Sequence, residues 1–223
     1  METFDRRTFL KTATWAAASG GLALLPGSER MMPVSQSGPQ VVEDLPNIVG
    51  PKPGFAPGLG TLASMMAFMR SQVVRSVAGM KPAELDFLLD TRANSIGALL
   101  LHLAATETFY QLHTFQGLAW GAWPDAVKKK WEAASALGEE GRRSIKDREL
   151  DSYLGILTET RALTIAEFKK RDDKWLFTVD KNWFWGPTNN YCKWFHVCEH
   201  EANHNGQIKL LKGRLPGAKE SSG

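Results

Sequence analysis

Cysteine is scarce in this chain. Its 223 residues include only Cys192 and Cys198, which excludes a disulfide scaffold and a cysteine-only zinc site. An excess of one charge is missing as well. Lys plus Arg number 27 against 24 for Asp plus Glu, and the net +3 is spread along the chain. Nucleic-acid binders need a clustered basic face, so no nucleic-acid partner is expected. Sustained period-two alternation of apolar and polar residues is absent too, which argues against a sheet protein. What is present is 43% apolar and 23% charged residues, enough for one sizeable core.

The amino-terminal thirty residues read as an address. Asp5-Arg6-Arg7-Thr8-Phe9-Leu10-Lys11 precedes a charge-free run from Thr12 to Leu25, the charged-then-apolar form of a secretory signal. Its 14 residues fall short of the ~20 needed to span a bilayer. The Arg6-Arg7 pair followed by Phe-Leu-Lys resembles a twin-arginine export signal. The expectation is a signal over residues 1–30, the twin-arginine machinery as a partner, and a periplasmic or extracellular destination. Residues 31–57 follow as a proline-rich linker, or as a strap lying across a domain.

Beyond residue 57, proline nearly vanishes and the 3.6-residue period takes over. The pattern predicts four helices, at about 58–79, 92–116, 147–171 and 188–212, with a short one over 125–137. Met65, Met66 and Met69 of the first read as core filler. Asn94-Ser95 supplies caps for the second. Residues 174–185 carry a short hairpin or a lid. Residues 58–217 therefore form one all-α domain, a bundle of four helices, followed by a polar tail over 218–223.

Three of the five histidines, His196, His200 and His204, lie between residues 196 and 204. At spacings of four they make a stripe on one helix face, a common source of imidazole ligands for divalent ions. The stripe spans ~12 Å of helix, too long for all three to share one ion. His200-Glu201-Ala202-Asn203-His204 is a literal H-E-x-x-H, in which zinc proteases use the glutamate as general base. The protease context is missing, because Gln207 and Leu210 occupy the positions of the next expected glycine and histidine. A third ligand lies upstream. His102 is embedded in Leu99–Ala105, an apolar run where an unpaired imidazole is costly, with Ala98 and Thr106 leaving room beside it. His196 reads as a pocket residue. Cys192 and Cys198, six apart on one helix, are too distant for a bridge, and Cys198 reads as a packed thiol. Trp183, Phe184, Trp185, Trp194 and Phe195 read as core at one bundle end, and Lys128-Lys129-Lys130 as a solvated face.

Together, Asn94–Ala104 around His102 and Trp194–Pro216 around His200 and His204 resemble the second and last helices of the DinB, or YfiT-like, superfamily. The resemblance implies a four-helix bundle of up-down-down-up arrangement, frequent dimers, and His102, His200 and His204 as ligands to zinc, nickel or a similar divalent ion. Relatives include transferases and isomerases that act with low-molecular-weight thiols. Many members carry histidine where this chain has Asn203, and arginine where it has Asn205. Three readings of the function follow. In the first, a metal-dependent transferase acts on a small-molecule substrate with a small thiol. In the second, a hydrolase uses metal-bound water with Glu201 as catalytic proton relay. In the third, the protein binds a metal or small molecule without turnover.

Overall fold

The computed structural model describes residues 47–218. The expected export segment, the linker up to residue 46 and the tail from residue 219 lie outside the described residues. Four long helices carry the fold: α1 (Pro57–Val77), α3 (Ile96–Gln116), α6 (Leu150–Phe168) and α8 (Asn190–Lys212). Short helices fill the connections: α2 (Pro82–Leu85), α4 (Asp125–Ala136), α5 (Gly138–Ser144) and α7 (Asp173–Leu176). A two-residue antiparallel pair, β1 (Val179–Asp180) with β2 (Thr188–Asn189), precedes α8. No helix among the described residues is long and apolar enough to cross a membrane.

The helix ends follow local chemistry. Ser95 caps α3 by accepting from the Ala98 N–H, while Asn94 reaches elsewhere and accepts from the Gly138 N–H at 2.9 Å. Asn189 caps α8 by accepting from Cys192. α1 has no cap of its own. Asp173 supplies one from a distance, its carboxylate accepting from the N–H groups of Gly58 and Leu59 at 3.0–3.2 Å. That carboxylate meets the exposed donors and positive dipole end of the helix, and a Cβ at residue 58 would lie 2.8 Å from it. The last residues of the proline-rich stretch form a strap on α1, with Gly50 and Ser64 exchanging two hydrogen bonds.

One expectation needs adjusting. The short helix over 125–137 is present as α4, and α5 follows it after a break at Leu137, whose φ is 54°. The hairpin begins later than expected: residues 173–176 are helical, and the second strand lies beyond residue 185.

Cross-helix pairs fix the topology. Arg70 with Glu201 and Ser76 with Asn205 show α1 and α8 running the same way. Gly97 against Tyr153 and Glu107 against Arg161 show the same for α3 and α6. α3 opposes α8, since Thr106 meets His200 and His113 meets Lys193. The arrangement is up-down-down-up. Gly97 permits the close approach of α3 and α6, because a Cβ there would lie 2.6 Å from the Tyr153 hydroxyl.

The apolar interior forms two clusters. One gathers Val73, Val77, Leu100, Leu103, Tyr153, Leu157 and Ile208. The other gathers Leu59, Leu62, Met66, Tyr110, Phe168, Trp194 and Cys198. Between them in chain order every long helix contributes one residue to a shared charged layer: Arg70, Glu107, Arg161 and Glu201. Arg70 bonds Glu201 at 2.6 Å and Glu107 at 3.1 Å. Arg161 bonds Glu107 and Glu201, each at 2.7 Å. The arginines also donate crosswise to main-chain carbonyls, Arg70 to Leu157 and Arg161 to Met66.

Burial pushes the Glu107 carboxyl up, and Arg161 and Arg70, with hydrogen bonds from Arg161 and Thr164, outweigh it and hold the pKa below 4.5. A lowered folded pKa contributes stability that is present above the unfolded value and lost as pH falls below it. Removing one partner of a buried ion pair strands the others, at a cost of about 3–5 kcal/mol. Glu107→Ala is therefore expected to lose about that much stability in urea unfolding at pH 7, and to lose less than the parent protein between pH 5 and pH 3.

Candidate metal centre

α8 enters the bundle after the short strand pair and presents its histidine stripe to α3. Its buried face is centred near Glu201, which places His200 and His204 toward α3 at the edge of that face. His102 faces them from α3. The three imidazoles form a compact set, with ring centroids 5.0 Å apart for His102–His200, 5.0 Å for His102–His204 and 4.4 Å for His200–His204. One nitrogen from each lies within 4.8 Å of the others.

The surroundings of the rings fix which nitrogens are available. His102 Nδ1–H donates to the Ala134 carbonyl at the end of α4, at 2.8 Å. His204 Nδ1–H donates to Gln207 Oε1 at 3.1 Å. In both rings this leaves Nε2 with its lone pair free for an ion, the usual way outer partners orient a metal-binding imidazole. His200 Nε2 lies 3.4 Å from the Thr106 hydroxyl, one helix turn from His102.

All three rings are held neutral. Burial lowers the His200 pKa, the charge of the other three histidines adds to it, and the value falls to about 3. Burial also lowers His102, against the pull of the Ala134 carbonyl, with His204 contributing. For His204, burial outweighs Gln207 and Glu199. Neutral imidazoles are the form that ligates metal, so the donor set fits a divalent ion held by His102, His200 and His204.

The remaining candidates fall in different places. Glu201 is buried among the bundle charges, and its Oε1 accepts from both Arg70 and Arg161. Its other carboxylate oxygen is buried without a partner. The expectation of a proton relay is thus replaced by a counter-ion, because position 201 sits about 100° round the helix from position 200 and points at α1 and α6. His196 borders the centre, 5.4 Å from the His200 ring, with its Nδ1–H donating to Glu199 and Trp185 packed edge-on at 4.9 Å. Cys198 is buried, which pushes its thiol up to about 12, so it is inert packing. Cys192 is exposed.

Four participants escaped the sequence reading. The Ala134 carbonyl carries no side-chain signal at all. Gln207, three residues past His204, was legible as a polar neighbour on the same face. The arginine partners of Glu201 were legible as charges on otherwise apolar helix faces.

In metal-stripped protein the lowered histidines have a consequence with a definite sign. Below about pH 6.5 the unfolded chain binds protons that the folded chain refuses, so stability falls with falling pH. Urea unfolding in chelator is expected to show this loss between pH 7.5 and 5, and a smaller one in His200→Ala/His204→Ala. Metal analysis of the same pair is expected to find about one ion per chain in the parent protein and none in the variant.

No curated protein matches this chain. A crystal structure titled as the conserved protein of locus from Enterococcus faecalis is similar, with a TM-score of 0.53 and 18% identity over 69% of this chain and 94% of that one. At that identity the likeness shows the fold. The family described as Mycothiol-S-transferase matches residues 61–217, from the second turn of α1 to beyond the end of α8 and across all three histidines. The chain belongs to the mycothiol S-transferase family, within the DinB-like superfamily.

Proposed function

We propose that this protein is a metal-dependent transferase that moves a small thiol onto an electrophilic carbon, and that it works outside the cytoplasm. The observation that carries the reading is the meeting of His102 with His200 and His204, from helices that run in opposite directions, in a chain of this family. A divalent ion bound there supplies a positive charge and an open position, which favour the thiolate form of a bound thiol. Three imidazole donors suit zinc or nickel.

The chain's own residues do the rest. Outer partners on His102 and His204 hold the rings against rotation. The Thr106 hydroxyl stands beside His200 as a hydrogen-bonding group for whatever approaches. Tyr110, Trp185 and His196 form an aromatic border at the next turn of the α3–α8 seam. In the overall reaction an S–C bond forms and the C–X bond of the electrophile breaks. The thiol proton leaves with X as HX, and nothing is oxidised or reduced.

The hydrolase reading needs Glu201 beside the ion, and Arg70 and Arg161 hold that carboxylate instead. Location outside the cytoplasm rests on Arg6-Arg7 and the apolar run behind it.

The test pairs a bimane bromide with cysteine, N-acetylcysteine or mycothiol as donor. The metal-loaded protein is expected to speed thioether formation by at least about a hundredfold over the uncatalysed rate, a modest demand of ~2.7 kcal/mol. His200→Ala/His204→Ala should return it to background. An ion held with no acceleration for any donor would leave a binding protein in place of a transferase.

A further inference from the structure

A cavity of about 550 Å³ opens between the end of α3, the residues that follow it and the hairpin loop. It lies beyond the Tyr110–His196 border, away from the three histidines. Trp120 and Phe184 form its walls, at 39% and 61% exposed. Trp183, His113 and Asp180 form its floor. Its size is that of a small-molecule site.

The floor is polar in name and largely satisfied in fact. Lys193, 1% exposed, donates to Asp180 Oδ2 and to His113 Nε2, each at 2.8 Å, and lies 4.3 Å from the centre of the Trp183 ring. His113 Nδ1–H donates to the Leu118 carbonyl at 2.8 Å. The second oxygen of Asp180 accepts from the Asn182 N–H at 2.9 Å. Lys193 and Asp180 cancel in charge, and both His113 nitrogens are engaged. One group is left over: the indole N–H of Trp183, a residue only 4% exposed, is buried with no acceptor. A buried donor without a partner is costly.

We propose that this cavity binds a neutral, planar aromatic molecule. The exposed rings of Trp120 and Phe184 offer π-faces for stacking, and the balanced floor gives no purchase to an ion. A polyhydroxylated ligand fits less well, because the carboxylate and imidazole it would use already hold partners. The proposal is independent of metal and of thiol chemistry, since none of its residues touches the histidine centre.

The test is calorimetric titration with 2-naphthol, in metal-loaded and in chelator-treated full-length protein. Saturable one-to-one binding is expected in both, weakened about tenfold by Trp120→Ala/Phe184→Ala through loss of the stacking rings. Phe184→Ala alone, at an exposed position, serves if the double variant does not fold. Leu163→Ala, exposed on α6, is expected to change nothing. Four results would overturn the proposal: no saturable binding, binding indifferent to the wall variants, loss of binding on chelation, or glucose binding more tightly than 2-naphthol.

Discussion

Two arginines and two glutamates meet in the middle of the bundle, one from each long helix, and the structure is organised around their neutrality. Any one of them alone would be an unpaired charge in an apolar interior, a penalty of several kcal/mol. As a set they pair off at 2.6–3.1 Å, with one oxygen of Glu201 left over. Apolar contacts resist sliding weakly, whereas charged hydrogen bonds have direction and length. The four helices are therefore held at one relative height. Glu107 follows Thr106 in sequence and Glu201 follows His200, so the layer that aligns the bundle also sets His200 opposite the His102 turn.

The centre beside that layer is economical. Two of its three imidazoles are oriented by a main-chain carbonyl and by a side chain of the same helix. Burial keeps the three rings neutral, and repulsion between the rings adds to it at His102 and His200. Glu201 shows how a motif can mislead on a helix. The H-E-x-x-H spacing puts two histidines on one face, but it also sends the glutamate a quarter-turn away. Which surface that quarter-turn meets depends on the neighbouring helices, and here it meets two arginines.

Much of the fold could be read from the residues. The four long helices, the Ser95 cap and the pairing of a histidine in an apolar run with an i, i+4 pair all rest on local periodicity, which survives folding unchanged. The break at Leu137 was not legible, because its positive φ answers a hydrogen bond from Gly138 to distant Asn94. The cap on α1 was hidden for the same reason, being donated by Asp173 more than a hundred positions away. Arg70 and Arg161 stood in view as charges on apolar faces. Their meaning needed the knowledge that both faces converge on one level.

The parallel pairing of α1 with α8 and of α3 with α6 means that the helices sharing the centre are far apart along the chain. His102 and His200 come together only by closing a loop of roughly a hundred residues, at an entropic cost. An ion at that junction would act as a removable cross-link between the middle and the end of the polypeptide. It would bind only a chain whose last helix had already docked, and once bound it would slow the undocking of that helix.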